Sequence, residues 1–438
     1  MCSRPSAEIA IATDNGPALG YAAGMPDSTD ARLAAQYEAY PYPKRDPRDE
    51  ARRLVIGSPS HLREIEFWVF GARRATSQPL RALVAGGGTG DGTIMLATHM
   101  ARVGRAGDVT YLDRSTAAMA IARGRAEARS LANIAWEARS ILDLPGSGLG
   151  PFDYIDCCGV LHHLPDPTEG LAALLSVLAP GGGLGLMVYA PHGRTGVYML
   201  QDALRRLAPP DLPPAQRLDI ARRVMKHLPD SAWLRTNRNF SDHLDGGDAG
   251  LYDLLLNPRD RPYDVPALYA LLEGAGLSVT CLMEPMRYDP AIYLPDPKLR
   301  ALAAGLGPVG RAALAESLTA NISTHVAYCV RTADAWAPPD AMAPDAVPVA
   351  REMPAEELAR NIRADGVLPF VFDGLRVPVA LPPLAVPILK LIDGVRTVGG
   401  IAAALAERGT PAPVFAKAWG ETWAKLSALN RILLAPPP

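Results

Sequence analysis

Leu80 to Ala85 is a short apolar run that stops at Gly86-Gly87-Gly88-Thr89-Gly90-Asp91-Gly92, and Thr93 to Val103 then carries the spacing of a helix. An apolar run of that length bounded by glycines reads as a buried strand. The glycine cluster reads as a turn that admits close backbone approach, and the helix as the return crossing of a parallel α/β unit. A second strand follows at Val109 to Leu112, closed by Asp113, then an Ala/Arg-rich helix from about Thr116 to Ser130 and a third strand at Ile134 to Trp136. Phe152 to Cys157, Pro167 to Leu178 and Gly183 to Tyr189 continue as strand, helix, strand, the last nearly all apolar, as suits a strand covered on both faces. The core sheet is expected over about residues 80–190.

The chain has 438 residues, which at roughly 150 per domain allows about three folding units. Residues 1–30 lack sustained periodicity and are expected to be a flexible leader. A helix is expected over His61 to Arg74. Residues 197–275 and 285–320 are read as helical insertions over the strand ends, with further strands at Gly276 to Met283 and Thr324 to Val330. Residues 333–354 hold Pro338, Pro339, Pro344, Pro348 and Pro354 among small residues, the composition of an extended linker. In residues 355–438, short strands at Phe370 to Phe372 and Leu375 to Val379 precede helices at Leu384 to Ile392, Val398 to Arg408 and Val414 to Leu429. A last strand at Arg431 to Leu434 completes a winged-helix-like order. The fold class expected is α/β, a doubly wound Rossmann-like sheet of seven strands with helical insertions, plus a small α+β C-terminal domain.

Composition excludes several classes. Charges of 44 and 46 give a net of −2, and residues 355–438 hold nine Lys and Arg against seven Asp and Glu, so no nucleic-acid partner is expected. Five cysteines, Cys2, Cys157, Cys158, Cys281 and Cys329, show no metal or disulfide spacing; no metal and a reducing, cytoplasmic setting are expected. Residues 170–191 carry no charge, but Pro180-Gly181-Gly182-Gly183 would break a spanning helix, so no membrane partner is expected. The N-terminal stretch has Glu8 and Asp14 in place of a basic and then apolar secretory signal.

The glycine spacing decides the motif class. Counting from Gly86 puts Asp91 where the dinucleotide fingerprint G-x-G-x-x-G needs its third glycine, and counting from Gly88 puts Thr93 there, so that fingerprint fails. What remains is G-x-G-x-G after a strand, with Asp113 closing the next. These residues resemble the class I S-adenosylmethionine-dependent methyltransferases. Gly86-Gly87-Gly88-Thr89-Gly90 looks like their first motif, Asp113 like the acid on the ribose hydroxyls, and Ser140-Ile141-Leu142-Asp143-Leu144-Pro145 like their adenine-side loop. The stretch Phe152 to Leu164 and Leu178-Ala179-Pro180-Gly181-Gly182 resemble their fourth- and fifth-strand signatures. The resemblance covers about residues 35–332, including the entry Tyr40-Pro41-Tyr42-Pro43. It implies S-adenosylmethionine as cofactor, bound by Gly86, Gly87, Gly88, Gly90, Asp113, Arg114, Ser140, Ile141, Cys158 and Gly159. The chain departs from the pattern at Val84, where the first strand usually carries an acid, and at Ser140, where the adenine loop usually does.

Other readings compete at several positions. Asp113 could instead cap the following helix. Tyr37, Tyr40 and Tyr42 are either a packed entry segment or an aromatic lid, and Tyr37, Tyr42, His163, Tyr189 and His192 are candidates for an acceptor pocket. His162-His163 are also read as structural, and Cys157-Cys158 as buried small hydrophobes. Arg235, Asn237, Arg238, Asn239 and His243 form either a recognition lid or a solvated loop. No catalytic base is named. The expected activity is methyl transfer to a small molecule, or to a peptide docked by the C-terminal domain, with a homodimer possible. The alternative is a non-catalytic binding protein acting through that domain, whose segment Ile388 to Ile401 resembles winged-helix modules of peptide-modifying systems.

Overall fold

The computed structural model describes residues 28–237 and 242–437. Seven strands form the central sheet: β1 (Leu80–Ala85), β2 (Gly107–Asp113), β3 (Ile134–Ala138), β4 (Phe152–Cys158), β5 (Leu178–Tyr189), β6 (Leu277–Leu282) and β7 (Thr324–Arg331). Their order is β3-β2-β1-β4-β5-β7-β6; the first five are parallel, and β7 runs antiparallel to both β5 and β6. The order reverses between β1 and β4, so the crossings from β1 to β3 and those from β4 onward lie on opposite faces. That leaves a crevice at the carboxyl ends, where ligands bind in open α/β sheets.

Alternation along each strand divides the core in two. Leu83 and Ala85, with Ile155, Cys157, Leu184 and Leu186, face the helices Pro167–Ser176 and Val265–Gly274. Ala82, Val84, Tyr154 and Tyr328 face the helix Asp91–Val103 and the segment from Leu62 to Phe70. The insertion helices Val197–Leu207, Pro214–Lys226 and Gly247–Leu256 close a smaller core of their own around Leu204, Leu218 and Leu255, onto which Tyr40 packs. The helix Ser28–Ala39 is held by Arg259–Asp30 at 2.6 Å and by Glu38, which accepts from Ser115 Oγ and Thr116 Oγ1 at the start of the helix Thr116–Ala128. A carboxylate there offsets the positive end of the helix dipole.

Several expectations need correction. Of the leader expected over residues 1–30, residues 1–27 lie outside the described residues and the last three belong to the helix Ser28–Ala39. The helix expected over His61 to Arg74 is one α-turn, Leu62–Glu64, running into a wider π-turn, Ile65–Val69. Residues 333–354 are not a free linker. Trp336 Nε1 donates to Val69 O at 2.9 Å, Trp419 Nε1 to Ala341 O at 2.7 Å, and β8 (Pro348–Ala350) lies in that segment. A hairpin follows, β9 (Val367–Phe372) with β10 (Leu375–Ala380), and the last strand, β11 (Ile432–Leu434), pairs with β8. The hairpin and last strand, expected in one winged-helix-like module, thus lie in two separate two-stranded sheets. Phe67, Val349, Leu433 and Leu434 bury a shared apolar seam, and Arg351 and Asn430 both bond the buried Glu64, so the C-terminal unit is fixed to the sheet domain. Among the described residues no helix is long and apolar enough to cross a membrane.

Candidate active site

The glycine turn closes β1 onto β2. Gly86 and Gly87 donate to Leu112 O at 2.7 and 3.0 Å, and Gly86 has φ 79°, where a side chain is disfavoured. A Cβ on Gly86 would lie 2.3 Å from Val160 Cγ2. The carboxylate of Asp113 spans the turn, Oδ2 accepting from Gly88 N–H and Oδ1 from Ser115 N–H, both at 2.8 Å. Ser115, accepting from Ala118 N–H at 3.0 Å, is the helix cap, so the rival role for Asp113 falls away. Burial raises the Asp113 pKa, and the two N–H donors oppose the rise. Each of its oxygens retains a lone pair for a further donor.

Above these groups lies a cavity of about 500 Å³, a size suited to a small-molecule ligand. Gly86, Gly87 and Gly88 line it from the turn, Asp113 and Arg114 from the end of β2. Ser140 and Ile141 line it after β3, and Cys158 and Gly159 after β4. Burial pushes the Cys158 thiol well up, so it stays neutral. The Tyr-Pro-Tyr-Pro entry passes over the turn, with Thr89 Oγ1 donating to Pro43 O at 2.7 Å and Tyr42 in the cavity wall. Beside it Arg45 pairs with Asp91 at 2.6 Å; burial acts to raise the Asp91 pKa, but Arg45 and Arg125 outweigh it and the net shift is down.

The far end is aromatic and acidic. Tyr37 Oη donates to Asp253 Oδ1 at 2.9 Å, Tyr189 Oη to Oδ2 at 3.3 Å, and Asn257 Nδ2 to Oδ1 at 3.3 Å. Burial raises the Asp253 pKa and, with that carboxylate beside them, lifts both tyrosines well above their ordinary value. His163 closes the wall, its Nδ1 2.6 Å from Arg259 O. A carbonyl only accepts, so Nδ1 donates in this contact. Behind Tyr189, the Arg194 guanidinium lies 3.6 Å from the ring centroid and pairs with Asp260 at 2.9 Å.

A family model described as a methyltransferase domain matches residues 83–184. An uncharacterised protein of Synechococcus sp. is 31% identical over 283 residues, 62% of this chain and 64% of that protein. A ubiquinone biosynthesis O-methyltransferase of Acinetobacter baylyi is 28% identical over 155 residues, 35% of this chain and 60% of that enzyme. PKMT2 from Rickettsia typhi shares the fold with a TM-score of 0.60 at 15% identity, over 86% of this chain and 75% of that one. Residues 83–184 carry a methyltransferase domain. The chain spans less than two thirds of the length of the two curated relatives.

The methyltransferase domain leaves two expected site residues outside the cavity lining. Gly90 opens the helix Asp91–Val103, and its Cβ would press on Ala122 at 2.9 Å; its smallness serves helix packing. His192 is not among the lining residues, and its carbonyl accepts from Thr195 N–H. His162 is fully buried against Tyr189, with neither ring nitrogen bonded among the described residues, and burial pushes its pKa well down. In the polar run, Arg235 Nη1 donates to Leu228 O and Asn237 Nδ2 to Gly193 O, whereas Arg238, Asn239 and the side chain of His243 lie outside the described residues.

Sequence reasoning missed Asp253 and its partner Asn257, which carry no motif, Asp156, which lies within the fourth-strand signature but was given no role, and Arg45, for which the Tyr-Pro-Tyr-Pro entry was the available pointer. It also missed a trio away from the cavity lining, His61, His99 and Glu352, whose ligand atoms all lie within 4.8 Å of one another. Burial lowers both imidazoles, His99 to about 4, and Arg351 and Arg102 add positive charge there, which disfavours a cation.

Proposed function

We propose that this chain transfers the methyl group of S-adenosylmethionine to an acceptor seated against Tyr37, Tyr189 and Asp253. The observation that carries the reading is one cavity reaching from the Asp113 carboxylate to the Asp253 carboxylate. The residues fit the cofactor: the glycine turn is a cradle that a Cβ would fill, Asp113 keeps acceptor capacity for a ribose diol, and Ser140 and Ile141 stand at the side suited to a base. When bound, the cofactor supplies an electrophilic methyl on a sulfonium.

The chain's own work is positioning and exclusion of water. Leu33, Ala34 and Tyr37 of the helix Ser28–Ala39 roof the cavity, and Cys158 and Gly159 form its floor between the two ends. Asp253, fixed by two tyrosine hydroxyls, orients a hydroxyl or amine nucleophile and takes up its proton. An acceptor with an exchangeable proton is therefore the class expected, and the O-methyltransferases among the relatives support it.

The test is calorimetric titration of S-adenosylmethionine and S-adenosylhomocysteine into wild type and Asp113→Ala, followed by a labelled-methyl screen over hydroxyl and amine acceptors, small and peptidic. Binding that weakens at least tenfold in the variant, with label transferred, supports the reading; binding without transfer to any acceptor leaves a binding protein. Deleting residues 340–438 does not separate small from peptidic acceptors, because it uncovers Phe67 and strips two partners from Glu64. Val371→Lys, on an exposed face of the β9–β10 hairpin, is the cleaner probe of peptide docking.

A further inference from the structure

The acid that the family pattern places two residues before the first glycine is Val84 here, yet the sheet puts a carboxylate beside it. Val84 on β1 is in parallel register with Asp156 on β4. Val84 packs in one cluster with Tyr154, which precedes Asp156 by two residues, so Val84 and Asp156 share a face of the sheet at the same level. Asp156 is 1% exposed and lines the cavity.

Its two oxygens are unequal. Oδ2 accepts from Ser60 Oγ, while Oδ1 has no partner among the described residues. Gly92 makes the room: a Cβ there would lie 2.9 Å from Asp156 Oδ2 and 3.0 Å from Ser60 Oγ. The titratable groups that feel this carboxylate, Tyr154, Cys157 and Cys158, are themselves held neutral by burial; among the described residues no cation offsets the charge, and only the Ser60 hydroxyl and the Cys158 N–H oppose the effect of burial. Burial raises the carboxyl to about 7. A buried carboxylate with an unmet acceptor position is a place for a donor, and a cationic donor answers both deficits.

The donor is fixed by direction. The cavity runs from Ser140 past Asp113 and the glycine turn, and Asp156 lies one strand further, on β4. A cofactor with its base at Ser140 and its ribose at Asp113 extends its amino-acid end across β1 toward β4. We infer that Asp156, oriented by Ser60, receives the ammonium group of the cofactor's methionine end, in place of the acid absent at Val84. The inference rests on the cofactor reading above.

Two probes separate the ideas by calorimetry: S-adenosylhomocysteine, which carries the ammonium, and 5′-methylthioadenosine, the same nucleoside without an amino-acid end. Asp156→Asn is expected to weaken S-adenosylhomocysteine at least tenfold while changing 5′-methylthioadenosine less than threefold, with an unaltered circular-dichroism spectrum. Ser60→Ala should move the same way by a few fold, and Val84→Asp placed in the Asp156→Asn background should recover part of the loss. Equal weakening of both probes, or no weakening of either, overturns the role of Asp156. Wild type that binds 5′-methylthioadenosine but not S-adenosylhomocysteine also overturns it and leaves the nucleoside site standing. Wild type that binds neither overturns the cofactor reading and this inference together.

Discussion

The proposed nucleoside end of the cavity is made by turns that each directly follow a strand of one sheet, whereas the proposed acceptor end is assembled from Tyr37, His163, Tyr189 and Asp253, far apart in the chain. The two carboxylates show the difference. Asp113 is held by backbone N–H groups at most 25 residues away, Asp253 by hydroxyls 216 and 64 residues away on other elements. A site built on adjacent strand ends is as rigid as the sheet. The other depends on how the helices Ser28–Ala39 and Gly247–Leu256 come down over the strand ends, so its chemistry can be altered without disturbing the sheet.

If that contrast holds, substitutions at the nucleoside end should register in folding and those at the acceptor end in turnover. The largest effect is expected with pH at Asp156. Its pKa of about 7 lies above the ordinary 3.8, so the carboxyl contributes stability that is complete below pH 3.8 and is lost as pH rises through 7. The loss is on the order of 4 kcal/mol. Urea midpoints should therefore show wild type falling against Asp156→Asn between pH 4 and 7, with a constant gap above.

Gly86→Ala comes next. Its left-handed backbone and the clash with Val160 should cost about 2–4 kcal/mol of stability, read from the same midpoints. At the other end, Asp253→Asn should lower kcat about 100-fold while S-adenosylhomocysteine affinity stays within twofold of wild type. A parallel loss of affinity would mean that the two ends are one structural unit, and the contrast would be broken. Tyr37→Phe removes one donor from the buried Asp253 and should cost about 1 kcal/mol with a raised KM for the acceptor. The smallest change is Glu38→Gln, which weakens the tie between the roof helix and the helix Thr116–Ala128 by ~0.5 kcal/mol. Bonding to the Thr116 hydroxyl lowers the Glu38 pKa from 4.5, so this contribution is present above that pH and disappears in acid, a difference that thermal melts at pH 7 and pH 3 would reveal.

How far the sequence could be read follows the same division. The glycine turn and Asp113 were legible because one strand, its turn and the next strand end contain nearly all the atoms that define them. Gly90 and His192 do not line the cavity for the converse reason: a motif position does not say what packs against it, and a Cβ on Gly90 would press on Ala122. The proline-rich stretch 333–354 read as a spacer because composition reports the lack of periodic structure and not contact, while Trp336 and β8 anchor it through partners remote in the chain.

By itself the sequence determined the alternation of strands and helices, the carboxyl-end crevice and the glycine turn with Asp113 beside it, because strand period, turn chemistry and helix spacing act over a few residues. Only the tertiary structure decided that Asp156 stands beside Val84 and that Asp253 meets Tyr37 and Tyr189. Sheet register and helix docking bring those groups together, and burial, which exists only once the chain is packed, raises the pKa of both carboxyls.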